Sequence, residues 1–119
     1  MKSYKELIVW QKSFELTKSI YNLTKQFPKE ETYGMVSQMR RAAISIPSNI
    51  AEGYCRKSRL EYIQFIRIAF GSSAELETQL LLSRDLKLAP LENINKSLDQ
   101  LVEVLKMLNK LLFSLNPSG

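Results

Sequence analysis

The sequence predicts an all-α protein, one antiparallel up-and-down four-helix bundle in a single domain, and three observations carry that prediction. Apolar residues recur at helical spacing along four long segments. Only four Gly and four Pro are spread over 119 residues, too few to punctuate many short strands. The breaks that do occur, near Phe27-Pro28, Gly53 and Pro90, leave three short connections, which set sequential helices antiparallel. The balance of 45% hydrophobic and 24% charged residues is that of an ordinary globular chain.

The first helix is expected over about residues 5–26. Its apolar positions form two adjacent stripes, Leu7, Trp10, Phe14 and Tyr21 beside Val9, Leu16, Ile20, Leu23 and Phe27. A face this wide touches two neighbours inside a bundle, or one neighbour and another subunit. Phe27-Pro28 ends the segment, because a residue before proline is pushed out of the α region. The second helix is expected over about residues 30–52, with Glu30 and Glu31 at the positive end of its dipole. Met35, Met39, Ala42, Ala43, Ile46 and Ile50 make its core stripe. Pro47 lies inside it, removes one backbone donor and crowds the Ala43 carbonyl, so a kink is expected rather than a stop. Gly53 is placed to be the C-terminal cap.

The third helix is expected over about residues 59–87. Ser58-Arg59-Leu60-Glu61 has the spacing of a capping box, in which serine and glutamate each satisfy an orphan donor. Its apolar line runs through Tyr62, Ile66, Ala69, Leu76 and Leu80, and Gly71-Ser72-Ser73-Ala74 is a run of small residues that lets another helix come close. The fourth helix is expected over about residues 90–115, with Pro90 in its first turn. Leu91, Ile94, Leu98, Leu101, Leu105, Leu108, Leu112 and Leu115 repeat at alternating steps of three and four, a coiled-coil-like seam. Pro117-Ser118-Gly119 reads as a frayed tail.

Catalysis finds little to work with. The chain has no histidine, which removes serine and cysteine nucleophile pairs that rely on it, zinc helices of the His-Glu-x-x-His type, and the Glu-x-x-His pairs of di-iron bundles. One cysteine cannot build a zinc ribbon or an internal disulfide. Cys55 stands beside Arg56 and Lys57, a setting that favours a thiolate, but no positioned base accompanies it. Glu75 and Glu77 are two apart on a helix and point in different directions. No glycine-rich phosphate loop is present, and no metal or cofactor is implied. The expectation is no enzyme. No stretch is long and apolar enough to span a bilayer and the first residues lack an apolar signal core, so a cytoplasmic protein that binds no membrane is expected.

The formal net charge is +5 and the pI about 9.4. Six basic residues fall in the hairpin between the second and third helices: Arg40, Arg41, Arg56, Lys57, Arg59 and Arg67. Five are arginine, the side chain suited to two-pronged phosphate contact. Arg56, Lys57 and Arg59 flank a helix N-terminus whose dipole is already positive, a place suited to an anion. Counting residues from the turn sets Arg41 and Arg67 at similar heights. Only Tyr54 and Tyr62 are near enough to stack on bases, so the pattern is one of phosphate contact rather than sequence reading. Equally, these arginines suit salt bridges to Glu52, Glu61, Glu75 or Glu77, within or between subunits.

Several stretches together resemble a known family. These are Leu7-Ile8-Val9-Trp10-Gln11-Lys12, Ile20-Tyr21 and Phe27-Pro28, then the run Tyr33-Gly34-Met35-Val36-Ser37-Gln38-Met39-Arg40-Arg41-Ala42-Ala43-Ile44-Ser45-Ile46-Pro47-Ser48-Asn49-Ile50-Ala51-Glu52-Gly53, and Gly71-Ser72-Ser73-Ala74-Glu75-Leu76-Glu77. The pattern resembles the 23S rRNA intervening-sequence proteins, themselves similar to the accessory protein of diversity-generating retroelements. What the resemblance implies is a bundle that assembles into a ring-like homopentamer, without enzymatic activity. Five copies of this chain would carry a formal charge of +25.

Two functions follow from these features. One is a non-enzymatic oligomer that binds RNA or DNA through phosphate contacts at the arginine-rich hairpin. The other is a scaffold with no nucleic-acid role, whose broad apolar faces build the oligomer and dock a partner protein.

Overall fold

The four apolar patterns become four helices, α1 (Ile8–Thr24), α2 (Ser37–Tyr54), α3 (Arg59–Asp85) and α4 (Leu91–Leu115). The computed structural model describes residues 2–116, so the tail at Pro117-Ser118-Gly119 lies outside the described residues. The helices pack α1 on α2, α2 on α3, α3 on α4 and α4 back on α1, an antiparallel up-and-down ring around one core in a rod of 44 × 22 × 21 Å. Leu16 and Ile20 of α1, Met39, Ile46 and Ile50 of α2, Ile66, Leu76 and Leu80 of α3, and Ile94, Leu101, Val104 and Leu108 of α4 are fully enclosed. Each such side chain contributes about 1.5–3 kcal/mol by leaving water.

Of the two stripes on α1, the one through Val9, Leu16, Ile20, Leu23 and Phe27 is buried. The other stays at the surface, where Trp10 packs between Tyr4 and Phe14 at centroid distances of 5.4 and 5.1 Å. The second helix starts later than expected. Lys29–Glu31 form a 3₁₀ turn and Thr32–Val36 a wide turn interrupted by Gly34 at φ −111°, ψ −107°, so Glu30 and Glu31 precede the helix instead of opening it. Glycine offers no side chain to hold the helical conformation there, and the first buried residue is Val36. On α4 the enclosed line is Ile94, Ser97, Leu101, Val104 and Leu108, whereas Leu91 is exposed. The helix is therefore rotated slightly from the all-leucine seam, and Pro90 is its cap instead of its first residue.

The proline in α2 does not stop the helix, which continues to Tyr54. Pro47 leaves the Ala43 carbonyl without its intrahelical donor. The Thr17 hydroxyl of α1 takes that place, 3.0 Å from Ala43 O and 2.8 Å from Ser13 O, so its one proton is shared between two acceptors. Beyond α3, Lys87 N–H donates to Arg84 O at 3.1 Å and Leu88 N–H to Ser83 O at 3.0 Å. This is a Schellman closure, with Lys87 at φ +57° where glycine is the usual occupant.

Candidate nucleic-acid interface

The α2–α3 hairpin is drawn together by what is missing from one residue. A Cβ on Gly53 would lie 2.7 Å from Phe65 Cβ and 3.1 Å from Tyr62 Cδ1. Gly53 sits in the last turn of α2, and the cap is Cys55 at φ −78°. Its role is thus close approach to α3, not the left-handed cap expected from the sequence. Ser58 does cap α3, accepting the Glu61 N–H at 3.1 Å. The Glu61 carboxylate, however, turns to Arg56 at 3.5 Å. Tyr54 and Tyr62 stand edge to face at 6.1 Å, occupied with each other. Burial, and secondarily the Tyr54 phenol, hold the Tyr62 hydroxyl above the usual tyrosine range.

Further along, the Ser45 and Ser72 hydroxyls meet at 2.8 Å, and Asn49 donates to Ser45 O and Oγ at 2.7 and 2.9 Å. Gly53 against Tyr62 and Ser45 against Ser72 set the register of the pair. That register corrects one expectation: Arg41 is level with Glu75, while Arg67 is level with Ile50. The two arginines lie about nine residues apart in height, roughly 13 Å at 1.5 Å per residue. The residues linking the helices and the first turn of α3 reach past the end of α2, so counting from the turn misaligns them.

The six candidate residues have different fates. Arg40 is taken up by the bundle: its Nε donates to Thr24 Oγ1 at 2.9 Å, its Nη2 to Tyr21 O at 3.3 Å, and its guanidinium lies 4.5 Å from the Tyr21 ring centroid. It ties α2 to the C-terminal end of α1 and stands away from the turn. Arg56 bridges Glu52 at 2.9 Å and Glu61 at 3.5 Å and covers Phe65. Arg41, Lys57, Arg59 and Arg67 are exposed and have no ion pair within 4.0 Å among the described residues. Arg41 borders a polar groove with Gln38, Ser45, Ser72 and Glu75. Of the hairpin cluster, only Lys57 and Arg59 remain as free cations at the turn itself.

The up-and-down topology brings other cations to that same end. The start of α1 and the end of α4 meet there, with Leu7, Ile8, Met107, Lys110 and Leu111 sharing one groove. This end gathers Lys2, Lys5, Arg56, Lys57, Arg59, Lys106 and Lys110, seven cations, against Glu6, Glu52 and Glu61. These ten residues sum to a formal charge of 7 − 3 = +4. On the outer side of α4, Lys106, Lys110 and the 73% exposed Phe113 stand one turn apart. Sequence reading confined to the hairpin missed Lys2, Lys5, Lys106 and Lys110, because nothing local to those stretches links them. The signal available was the helix count, which places the chain's two ends beside the α2–α3 turn.

Among the described residues no three His, Cys, Asp or Glu side chains gather in a way that could hold a metal, and no helix is long and apolar enough to cross a membrane. Fold and surface together define a helical bundle with one strongly cationic end. Within that class, residues 5–110 match the family model described as 23S rRNA-intervening sequence protein, and the chain belongs to that family. Among solved structures it is similar to a protein of unknown function from the S23 ribosomal protein family of Bacteroides thetaiotaomicron. The two share 28% identity over 89% of this chain and 99% of that one, at a TM-score of 0.83. No curated protein matches the chain.

Proposed function

We propose that this protein is a non-enzymatic, self-associating bundle, the homopentamer its family resemblance implies, that binds RNA or DNA through phosphate contacts with little sequence preference. The observation that carries this reading is the cationic end, where Lys57 and Arg59 of the hairpin, unpaired among the described residues, are joined by Lys106 and Lys110 of α4. Cations gathered on one end of a rod create a field that a polyanion reads more strongly than any small ligand. Self-association multiplies that field by the number of copies. Binding is expected to fall linearly with the logarithm of salt, by about 0.9 per phosphate on duplex and about 0.7 on single strands.

The test uses the purified chain and a mixed-sequence pool of labelled RNA or DNA in an anisotropy titration across KCl concentrations. Replacing Lys57, Arg59, Lys106 and Lys110 with Gln is expected to weaken binding at least about tenfold and to flatten the salt slope by about 3. Equal affinity of wild type and variant at low salt sinks the reading. Light scattering at micromolar concentration tests the assembly, and a strictly monomeric species removes the self-associating part.

A further inference from the structure

The aromatic row that α1 leaves at the surface has no part in the bundle core. It lines a groove of about 370 Å³ between α1 and α2, where Tyr4, Trp10, Phe14 and Lys18 face Ile44 and Pro47. Phe14 and Ile44 are open to solvent, at 44% and 43% exposure. One end of the groove is built by the 3₁₀ turn Tyr4–Glu6, which packs on α2. The Ser3 hydroxyl accepts the Lys5 N–H at 3.1 Å, and Gln11 Nε2 donates to Lys5 O at 2.8 Å. The turn that carries Tyr4 is thereby fixed to α1.

Position and charge select what this groove holds. Trp10 stands in the first turn of α1 and Ala51 in the last turn of α2, so the groove starts at the cationic end and runs up the side of the rod. At its far rim Lys18 reaches over the Phe14 ring, 5.9 Å from the centroid. The pair of Lys18 with Glu15, at 3.3 Å, is exposed on both sides and yields readily to a phosphate. No acidic residue among the described residues lines the groove. A polyanion seated on the cationic end thus meets the mouth of an aromatic slot that does not repel it.

We propose that the groove takes one unpaired base of a single nucleic-acid strand whose phosphates lie along the cationic end. The base stacks on Phe14, against the wall made by Ile44 and Pro47, and Lys18 meets a phosphate beside it. Every base has a π-face, so stacking adds affinity without reading sequence. A base within a duplex is already stacked and paired and does not reach the groove. The proposal rests on the nucleic-acid reading above and narrows its ligand to unpaired strands. The cations at both ends of the groove favour this occupant over an apolar side chain from another protein.

Trp10 is the chain's one tryptophan, so its fluorescence reports on the groove directly. Three DNA probes of equal length separate the contributions: a mixed-sequence single strand, its duplex, and an abasic strand that keeps the phosphates and lacks the bases. The single strand is expected to quench Trp10 emission and to bind at least about tenfold more tightly than the abasic strand. The duplex and the abasic strand are expected to bind with little change in emission. Equal affinity for the single and abasic strands overturns the groove and leaves phosphate binding at the cationic end standing. No binding of any probe at low salt removes both. Quenching by the duplex as strong as by the single strand overturns the restriction to unpaired strands. Phe14→Leu keeps apolar volume but loses the stacking face. It is expected to weaken single-strand binding about tenfold and leave abasic-strand binding unchanged, and Phe14→Tyr to restore the loss. Because abasic-strand affinity reports fold and charge, no loss, or equal losses on both strands, overturns the stacking contact. If Phe14→Leu turns an oligomeric wild type into a monomer by light scattering, a second copy fills the groove and the proposal falls.

Discussion

The two ends of α2 are held in opposite ways. At its start, Arg40 reaches across to α1 and spends its guanidinium on Thr24, the Tyr21 carbonyl and the Tyr21 ring. At its finish, the close contact is made by Gly53, whose lack of a side chain lets Tyr62 and Phe65 of α3 come against the backbone. Arginines near that second end are paired, as Arg56 is, or stand free at the surface, as Arg59 does. An arginine beside a helix turn is therefore not in itself a ligand contact. The C-terminal end of a neighbouring helix offers carbonyls with room for a second donor, as Tyr21 O accepts both the Lys25 N–H and Arg40, and a cation within reach of them becomes structural.

Substitutions at the two ends test this contrast, the largest effect being expected at Gly53. Gly53→Ala sets a methyl against Phe65 Cβ, an atom that cannot move without α3, and is expected to cost about 2 kcal/mol in urea unfolding. A loss under about 0.5 kcal/mol would mean the helices part easily there. At the other end, Arg40→Ala is expected to cost about 1.5 kcal/mol, because Thr24 loses a charged donor and Tyr21 its cation. The same substitution should leave nucleic-acid affinity unchanged, whereas Arg59→Gln should lower affinity and alter stability by less than about 0.5 kcal/mol. Matching behaviour of the two variants in either assay would break the contrast.

The smallest effect concerns pH. Folding holds the Tyr62 hydroxyl above its ordinary value of 10.0, so the folded state keeps that proton longer than the unfolded state does. The resulting stability is present in full below pH 10 and is lost as pH rises through the folded value. Tyr62→Phe is expected to flatten the stability profile above pH 10. An unchanged alkaline slope would show that the Tyr54–Tyr62 contact is open to water.

Much of the fold was legible because helices announce themselves by period and punctuation. The Ser58 cap rests on an interaction between residues three apart. The apolar pattern running on to Ile50 marks the continuation of α2 past Pro47, although the carbonyl that Pro47 frees is satisfied from α1. Gly34 and Gly53 were read less well for a shared reason: one glycine can be a break, a cap or a contact, and neighbours in space decide among these. The α4 seam shows the same limit. Eight residues at steps of three and four mark a helix and its inner side to within a turn or so, but rotation about the axis is set by what faces it, and Val104 went inside while Leu91 stayed out.

The candidate site divides along the same line. Composition and order alone determined that the chain is helical, that histidine chemistry is absent, and that positive charge accumulates around the α2–α3 turn. Tertiary structure decided which of those charges are free. It took Arg40 into the α1 contact, paired Arg56 with two glutamates, moved Arg41 away from Arg67, and brought Lys2, Lys5, Lys106 and Lys110 to the turn from far along the chain. Local patterns fix a residue's type and its side of a helix, because both depend on spacing of a few residues. Partnership depends on register and rotation between helices, which the packing of the whole core determines.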